Sequence, residues 1–303
     1  MVSGRRGLDG DPGESIRSSR VAVQPGVRFC RAPTRPSFAL TRRWLYWREL
    51  TTEEIHKIAA VEQRQWWYRG TRDICFSLLQ PLLTRGTTRP AAVASARPLE
   101  ILDVGCGTGG NLRELSRYGH ARGIDIDPLC VEYCRRRGLD VSLGTMTDLH
   151  EPPASIDVLT MFDVLYHADP SDTVPILQGM ARVVTPGGLI AFREPAMDIA
   201  GGSHDRAVNG RQRFTRPGIT ASLRAAGFEP LRVTYLNTLL FPPIVLVRRL
   251  QDWRDPKRAH SDVEDTPEPL NSLLLALLHL ERSMLRAIDL PFGVSLFAVG
   301  QRR

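Results

Sequence analysis

Residues 101–111, Ile-Leu-Asp-Val-Gly-Cys-Gly-Thr-Gly-Gly-Asn, are the most informative segment of the chain. Its apolar start predicts a buried strand, and its glycines let the backbone turn tightly into a helix. Glycines also let a ligand approach the backbone, because no Cβ stands in the way. The N-terminus of the following helix offers free N–H groups to a carboxylate or a phosphate. The segment therefore predicts a ligand-binding turn at the end of a strand.

Two ligand classes fit such a turn, and two aspartates favour one of them. Gly105, Gly107 and Gly110 match the G-x-G-x-x-G pattern of dinucleotide-binding proteins. Asp103, two residues before the first glycine, would repel a pyrophosphate but suits an ammonium group. Asp125, at the end of the next strand, is placed to accept hydrogen bonds from both hydroxyls of a ribose. A ligand with a ribose, an ammonium and a carboxylate, but no phosphate, is S-adenosylmethionine.

The segments around this turn alternate between short apolar strands and helices. We predict strands at 99–104, 121–126, 141–143, 156–162, 188–193, 231–235 and 294–299, and helices at 111–118, 128–137, 175–184 and 216–226. Alternation of this kind is typical of an α/β fold with a parallel sheet covered on both faces. We therefore expect a doubly wound, seven-stranded, mostly parallel sheet.

The positive charge is concentrated at the N-terminus. The 303 residues include 40 basic and 33 acidic ones, a formal net charge of +7. Ten arginines and four acids lie in residues 1–50, so the rest of the chain is almost neutral. This distribution gives no case for nucleic-acid binding by the folded part. Residues 1–45 lack apolar periodicity, and we interpret them as a disordered, Arg-rich extension.

The cysteines and the apolar runs bear on the compartment. Cys30, Cys75, Cys106, Cys130 and Cys134 are odd in number and scattered, which favours a reducing, cytoplasmic compartment. No second Cys or His pair stands at zinc spacing from the last two, so we expect no metal site. No apolar run approaches the roughly 20 residues that span a bilayer. The N-terminus also lacks the apolar core of a signal peptide.

Three motifs in this order resemble class I S-adenosylmethionine-dependent methyltransferases. They are the D-x-G-x-G-x-G run that begins at Asp103, the acid Asp125, and Phe-Asp-Val-Leu-Tyr-His at 162–167. The resemblance covers residues 97–235. A Trp-Trp-Tyr-Arg-Gly segment at 66–70 is similar to one in a narrower group of bacterial small-molecule methyltransferases.

The resemblance implies which residues bind S-adenosyl-L-methionine. By position in the motifs, Asp125 would hold the ribose, and Ile126 and the Met146 backbone would contact the adenine. Phe162 would face the methionine part, and a plain core aromatic is its alternative. The resemblance places Asp103, Gly105, Gly107 and Gly109 around the methionine part. The predicted cofactor residues are these four, Asp125, Ile126, Met146 and Phe162, together with Tyr68 and Arg72 from the predicted lid.

Methyl transfer from a sulfonium needs alignment, exclusion of water and in some cases a base. His167 is the first candidate base. Asp163, four residues earlier, would share a helix face with it and either orient the imidazole or cap the helix. His204, in a Gly-rich loop after the fifth strand, and Glu194, just past that strand, are further catalytic candidates. For each histidine, a purely structural or solvated role is the alternative.

Residues 46–96 are predicted to form a helical lid. The aromatic residues Trp66, Trp67 and Tyr68 would close over the cofactor and expel water before transfer. Arg72 would then reach the methionine carboxylate. Aromatic packing that anchors the first helices is the alternative.

Residues 236–303 are predicted to form a helical cap followed by the final strand. The Leu-rich segment 270–288 keeps its polar side chains near one face and is therefore amphipathic. Its broad apolar stripe predicts core or an oligomer interface, for example in a homodimer. A surface for a hydrophobic or lipid-linked acceptor, or contact with a membrane surface, is the alternative.

The sequence thus predicts a cytoplasmic S-adenosylmethionine-dependent methyltransferase that acts on a small molecule. O-methylation of a natural-product or lipid-linked scaffold is the default, with N- or C-methylation as the alternative. A non-catalytic partner subunit with a methyltransferase fold is a further alternative, and an NAD-dependent oxidoreductase is the least favoured. We expect no nucleic-acid partner.

Overall fold

The computed structural model describes residues 51–84, 97–202, 205–206, 208–255 and 265–303. One sheet forms the centre of this part of the chain. Its strands are β1 (Leu99–Val104), β2 (Gly119–Asp125), β3 (Val141–Leu143), β4 (Ile156–Phe162), β5 (Val184–Pro195), β6 (Phe228–Leu236) and β7 (Ser295–Arg302).

The strands lie in the order β3-β2-β1-β4-β5-β7-β6. Neighbours from β3 to β5 pair in parallel, whereas β7 runs antiparallel to both β5 and β6. This topology confirms the predicted α/β class and the seven-stranded, mostly parallel sheet. Because β1 to β6 all point the same way, their carboxyl ends meet at one edge of the sheet, where open α/β folds bind ligands.

Eight helices are described in these ranges: α1 (Thr52–Val61), α2 (Trp66–Thr84), α3 (Gly110–Leu115), α4 (Pro128–Arg136), α5 (Thr173–Val183), α6 (Arg216–Ala225), α7 (Phe241–Arg254) and α8 (Glu268–Leu285). They cover an apolar core that divides into two clusters. None of these helices is long and apolar enough to cross a membrane.

Helices α2 and α8 pack against each other closely. Gly70 of α2 lies against Leu278 of α8, and a Cβ at Gly70 would come within 2.8 Å of the Leu278 Cβ. At the start of α2, the Trp66 backbone N–H donates to Asn271 Oδ1 at 2.7 Å, and His279 Nε2 lies 2.9 Å from the carboxylate of Asp73. The first contact anchors Trp66 to α8, which agrees with the anchoring role that was the alternative to a lid for this aromatic segment.

The segment after β4 differs from the prediction. We expected Asp163 and His167 to share a face of a helix. Instead Asp163 has a φ of 57°, a left-handed conformation that breaks the helical path. A short 3₁₀ turn at Leu165–His167 follows, and α5 begins only at Thr173. The prediction of a shared helix face is therefore wrong.

Candidate active site

The glycine turn between β1 and α3 needs its glycines for two different reasons. Gly105, Gly107 and Gly109 all have positive φ, at 69°, 55° and 94°. A Cβ at Gly105 would clash with Val164, and one at Gly109 would lie 3.0 Å from Cys134 Sγ. A Cβ at Gly107 would meet nothing within 4 Å. Gly107 therefore presents bare backbone to an open side, where a ligand can approach.

Asp103 is a buried carboxylate with an unused oxygen. Its Oδ1 accepts a 2.6 Å hydrogen bond from Thr160 Oγ1 on the neighbouring strand. Its Oδ2 has no hydrogen-bond partner among the described residues. Burial raises the pKa of Asp103 to about 7, against the lowering effect of Thr160. Buried polar atoms are normally paired, so an unpaired one beside an open glycine turn fits a cationic ligand group such as an ammonium.

Asp125 fixes the turn and remains able to bind a ligand. Its Oδ2 accepts the Gly107 N–H at 2.7 Å, and its Oδ1 accepts the Asp127 N–H at 2.9 Å. Burial raises the pKa of Asp125, although these two bonds oppose the shift. Each carboxylate oxygen can accept a second hydrogen bond, so the pair of ribose hydroxyls is a compatible ligand.

The residues expected around the adenine and the methionine part differ in accessibility. Ile126, directly after Asp125, is 37% exposed although it is apolar, which suits a platform for an aromatic ring. Met146 is buried. Phe162 is also buried, with its ring centroid 6.3 Å from that of Phe76 on α2. Its role at the cofactor stays a prediction beside the core packing that this contact represents.

The side chain of Arg72 on α2 reaches the N-terminus of α3. Its Nη2 donates to the Glu62 carbonyl at 2.8 Å, and its Nε lies 3.4 Å from Asn111 Oδ1. A Cβ at Gly110 would come within 2.9 Å of that Nη2. The guanidinium thus stands where a carboxylate bound to the helix N-terminus would need a counter-charge. Tyr68, one turn earlier on α2, is half-buried.

Glu62 is a site residue that the sequence analysis missed. It is buried at the end of α1, and its carboxylate pairs with Arg137. The Arg137 Nη1 also donates to the Thr108 carbonyl in the glycine turn at 2.6 Å. This chain of contacts connects α1 to the turn. No motif marks Glu62, because its partner is 75 positions away.

His167 follows β4 and is neutral at ordinary pH. Its Nδ1 lies 3.5 Å from the Asn209 carbonyl oxygen, and its ring packs on Tyr166 with centroids 3.9 Å apart. Burial lowers the pKa of His167 to about 4, and Arg211 contributes to the lowering. If the ring is assigned the tautomer in which Nδ1–H donates to Asn209, Nε2 keeps its lone pair and can accept a proton.

Asp163 does not pair with His167. Its carboxylate forms an ion pair with Arg193 at the end of β5. Arg193 also contacts Cys75 on α2, where burial raises the pKa of the thiol to about 11 and the guanidinium opposes that shift. The expected roles of orienting the imidazole or capping a helix are therefore wrong. Arg193 is a second residue that sequence analysis missed.

The two remaining catalytic candidates are Glu194 and His204. Glu194 is fully buried and accepts the backbone N–H groups of Leu165 at 2.9 Å and Tyr166 at 3.1 Å. Burial raises its pKa to about 8. These bonds give Glu194 a structural role that holds the turn after β4. His204 lies outside the described residues.

The comparison with protein families agrees with this geometry. Residues 101–188 match a family model described as a methyltransferase domain, and this range contains the glycine turn, Asp125 and the segment after β4. The chain is an S-adenosylmethionine-dependent methyltransferase with a Rossmann-like fold, and S-adenosyl-L-methionine is its cofactor.

Among curated proteins, the chain is similar to ubiquinone biosynthesis O-methyltransferases. The protein of Xanthomonas euvesicatoria pv. vesicatoria is 27% identical over 232 residues, which cover 70% of this chain and 90% of the relative. The protein of Bordetella bronchiseptica is 28% identical over 65% of this chain and 87% of the relative. Among solved structures, a methyltransferase of Haloferax volcanii in complex with the activator Trm112 aligns with 82% of this chain and 97% of its own, at 18% identity and a TM-score of 0.49.

Proposed function

We propose that this protein transfers a methyl group from S-adenosylmethionine to an oxygen atom of a small-molecule acceptor. The acceptor class we favour is a natural-product or lipid-linked scaffold with an apolar part. The observation that carries the proposal is His167, a half-buried, neutral imidazole in the 3₁₀ turn after β4, at the ligand-binding edge of the sheet, with Nδ1 3.5 Å from the Asn209 carbonyl oxygen. The names of the curated relatives, which are O-methyltransferases, support oxygen as the methylated atom.

Different residues would bind different parts of S-adenosylmethionine. The unpaired Asp103 oxygen would accept the ammonium of the methionine part, and Asp125 would accept the ribose hydroxyls. Arg72 and the N-terminus of α3 would hold the methionine carboxylate, and Ile126 would pack on the adenine. S-adenosylmethionine bound there would supply an electrophilic methyl group on its sulfonium, and the neutral thioether S-adenosylhomocysteine would be the leaving group of the in-line displacement.

His167 would then act on the acceptor. With Nδ1 turned toward the Asn209 carbonyl, Nε2 would take the proton of the acceptor hydroxyl as the oxygen attacks. The low pKa keeps this nitrogen unprotonated at neutral pH but makes it a weak base. An acidic hydroxyl, such as that of a phenol or catechol, therefore fits this base better than an aliphatic alcohol.

We propose the same division of the described chain as the sequence predicts: α1 and α2 as a helical lid, a cofactor-binding core at 97–235 and a helical cap followed by the last strand in the rest. The extension predicted at 1–45 lies outside the described residues. A cytoplasmic location is part of the proposal. Its support is that Cys75, Cys106, Cys130 and Cys134 are all free thiols.

The first test measures binding and transfer separately. Calorimetry with the full chain should show binding of S-adenosylmethionine and S-adenosylhomocysteine, weakened by Asp125→Ala, and no binding of NADH. Alkylated catechols and their water-soluble parents then serve as acceptor probes, with S-adenosylhomocysteine release as the readout.

The His167→Ala variant should lower kcat about 100-fold or more while leaving cofactor affinity unchanged. His150→Ala is the matched control, because His150 is an exposed histidine in the loop after β3. An unchanged kcat in His167→Ala would remove that residue from the mechanism. A product methylated on nitrogen or carbon would replace the O-methylation proposal. Cofactor binding with no transfer to any probe would favour a non-catalytic subunit.

A further inference from the structure

Residues 208–215, between β5 and α6, lie against the 3₁₀ turn that carries His167. We call them the 208–215 segment. The Arg211 backbone N–H donates to the Tyr166 carbonyl at 2.9 Å. A Cβ at Gly210 would come within 2.9 Å of Tyr166 Cδ2, so the backbone of the segment rests directly on that ring. The turn and the segment are therefore packed as one unit.

Gln212 of this segment contacts both ends of the turn. Its side-chain Nε2 lies 3.0 Å from the Ala168 carbonyl oxygen and 3.3 Å from that of Leu165. An amide NH₂ group has two hydrogens, so it can donate to both carbonyls. Leu165 is the first residue of the 3₁₀ turn, and Ala168 follows its last residue, His167. One side chain thus holds the backbone before and after the candidate base.

The Thr173 hydroxyl holds the Gln212 amide from the other side. Thr173 is buried at the start of α5, and its Oγ1 lies 3.4 Å from Gln212 Oε1 and 3.1 Å from Nε2. Because the two carbonyls require the NH₂ group, the amide is assigned the orientation in which Oε1 accepts from the hydroxyl. The amide is therefore restrained between α5 and the turn.

The 208–215 segment also meets the imidazole itself. Asn209 has a left-handed φ of 55°, which asparagine adopts more readily than most residues, and its carbonyl oxygen lies 3.5 Å from His167 Nδ1. Burial lowers the pKa of His167, and Arg211 adds to the lowering. Arg211 in turn pairs with Asp169 at 2.6 Å. The segment thus supplies both the hydrogen-bond acceptor and the charge that face the ring.

The segment has attachments to the sheet that do not involve Gln212. The Phe214 N–H donates to the Pro195 carbonyl at 2.9 Å, and Arg213 Nη1 donates to the Ala196 carbonyl at 2.9 Å. These contacts hold the segment at the carboxyl end of β5. A change of the Gln212 side chain should therefore disturb the turn without detaching the segment.

We propose that Gln212 is a positioning residue for His167. By holding both ends of the turn, it keeps Nδ1 at the Asn209 carbonyl and leaves Nε2 for the acceptor. Gln212 acts through His167 and needs no contact with the cofactor or the acceptor. The consequence for catalysis rests on the proposed function, in which His167 is the base, whereas the control of the ring orientation does not.

NMR of isotope-labelled histidine in the full chain tests the ring orientation without any turnover. The ring signals of His167 are identified by their loss in His167→Ala, and they report its tautomer and its pKa. Gln212→Met keeps the size and the neutral charge of the side chain but removes the NH₂ donor. Gln178→Met is the matched control, because the exposed Gln178 amide also donates to a backbone carbonyl, that of Ala225 at 3.4 Å.

The tautomer with its proton on Nδ1 should dominate in the unchanged chain and in Gln178→Met. In Gln212→Met the other tautomer should appear, and the pKa of His167 should rise by about one unit, because burial is the main cause of its low value and a loosened turn admits water. An unchanged tautomer and pKa in Gln212→Met would overturn the proposal, and so would an equal shift in Gln178→Met.

Cofactor binding measured by calorimetry verifies that each variant folds. Thr173→Val is a milder second variant, because it removes only the hydroxyl that holds the Gln212 amide and keeps the volume. It should shift the His167 signals in the same direction. If Gln212→Met does not fold, unchanged His167 signals in Thr173→Val would overturn the proposal.

A double-mutant cycle with the acceptor probes tests the consequence for catalysis. Gln212→Met should lower kcat about tenfold or more and leave cofactor affinity unchanged. In the His167→Ala background the same change should lower kcat no further, because the group that it positions is absent. A full further loss in that background would overturn the proposal. An unchanged kcat in His167→Ala, with the NMR shifts of Gln212→Met present, would refute the proposed base while supporting the role of Gln212 in orienting the ring.

Discussion

Replacing Gly70 by alanine tests how closely α2 packs on α8. The added methyl group would lie 2.8 Å from the Leu278 Cβ and closer still to the Leu278 Cδ1, inside the contact distance of two carbon atoms. Leu278 is fully buried, so it has no free direction in which to move. Overpacking of this kind costs about 1–3 kcal/mol. Alanine also gains about 1 kcal/mol of helix propensity over glycine, so the net loss reaches about 2 kcal/mol.

Gly179→Ala is the control that isolates the packing cost. Gly179 also lies inside a helix, α5, but a Cβ there would meet nothing within 4 Å. This variant should gain the helix propensity, about 1 kcal/mol, without any clash. Urea unfolding followed by circular dichroism measures both free energies of unfolding. We expect the Gly70→Ala variant to be about 1–3 kcal/mol less stable than the Gly179→Ala variant.

A third variant shows which contact is responsible. In the Gly70→Ala background, Leu278→Ala should cost less than it does in the unchanged chain, because the new methyl fills part of the cavity. Equal stabilisation by Gly70→Ala and Gly179→Ala would refute the reasoning, since it would mean that α2 and α8 are not in contact at this point.

Three further predictions concern the buried carboxyl groups of Asp103 and Glu194. Cofactor affinity measured by calorimetry should rise between pH 6 and pH 8, because burial raises the pKa of Asp103 to about 7 and only the ionised carboxylate attracts an ammonium. The Asp103→Asn variant should bind the cofactor about tenfold or more weakly, and its affinity should no longer depend on pH in this range. Without cofactor the same group should make the fold less stable as the pH rises from about 4 to about 7, because the unfolded chain ionises it at the ordinary pKa of 3.8 while the folded chain keeps the proton up to about 7. Urea midpoints at pH 5 and pH 7 test this. The Glu194→Gln variant should lose about 1–3 kcal/mol of unfolding free energy, because its amide NH₂ would face a backbone N–H that a carboxyl oxygen of Glu194 now accepts. An unchanged urea midpoint would contradict the structural role of Glu194 in the turn after β4.

Much of the sheet could be predicted because its strands are local patterns. The bounds of β1 and β4 follow from short apolar runs that stop before Gly105 and Asp163, and both runs are largely buried in the centre of the sheet. The edge strand β3 has only three residues, two of them exposed, and its end is marked by Gly144. The glycine turn could also be predicted, since a positive φ restricts the residue type at the position itself. Asp103 and Asp125 each lie near the end of a parallel strand, so both were expected at the carboxyl edge of the sheet.

The parts that could not be predicted depend on long-range contacts. The conformation of Asp163 is fixed by Arg193, 30 positions later, and the turn beyond it by the neighbouring Glu194. A spacing of four residues favours a shared helix face only where a helix forms, and here these partners hold a turn instead. Glu62 was missed for the same reason, because nothing near it in the sequence indicates Arg137.

The antiparallel strand β7 has a consequence for how the protein is made. During synthesis β5 has a free edge until the chain reaches β7, because β7 separates β5 from β6 in the sheet. The register pairs Leu189 with Gln301, so more than a hundred residues must be translated before that edge is covered. Strand β5 includes Leu189, Ile190 and Phe192. An apolar strand with an unpaired edge pairs readily with another nascent chain. Slow translation of the last hundred residues, or truncation before β7, should therefore favour aggregation even though the glycine turn and its two aspartates are already complete.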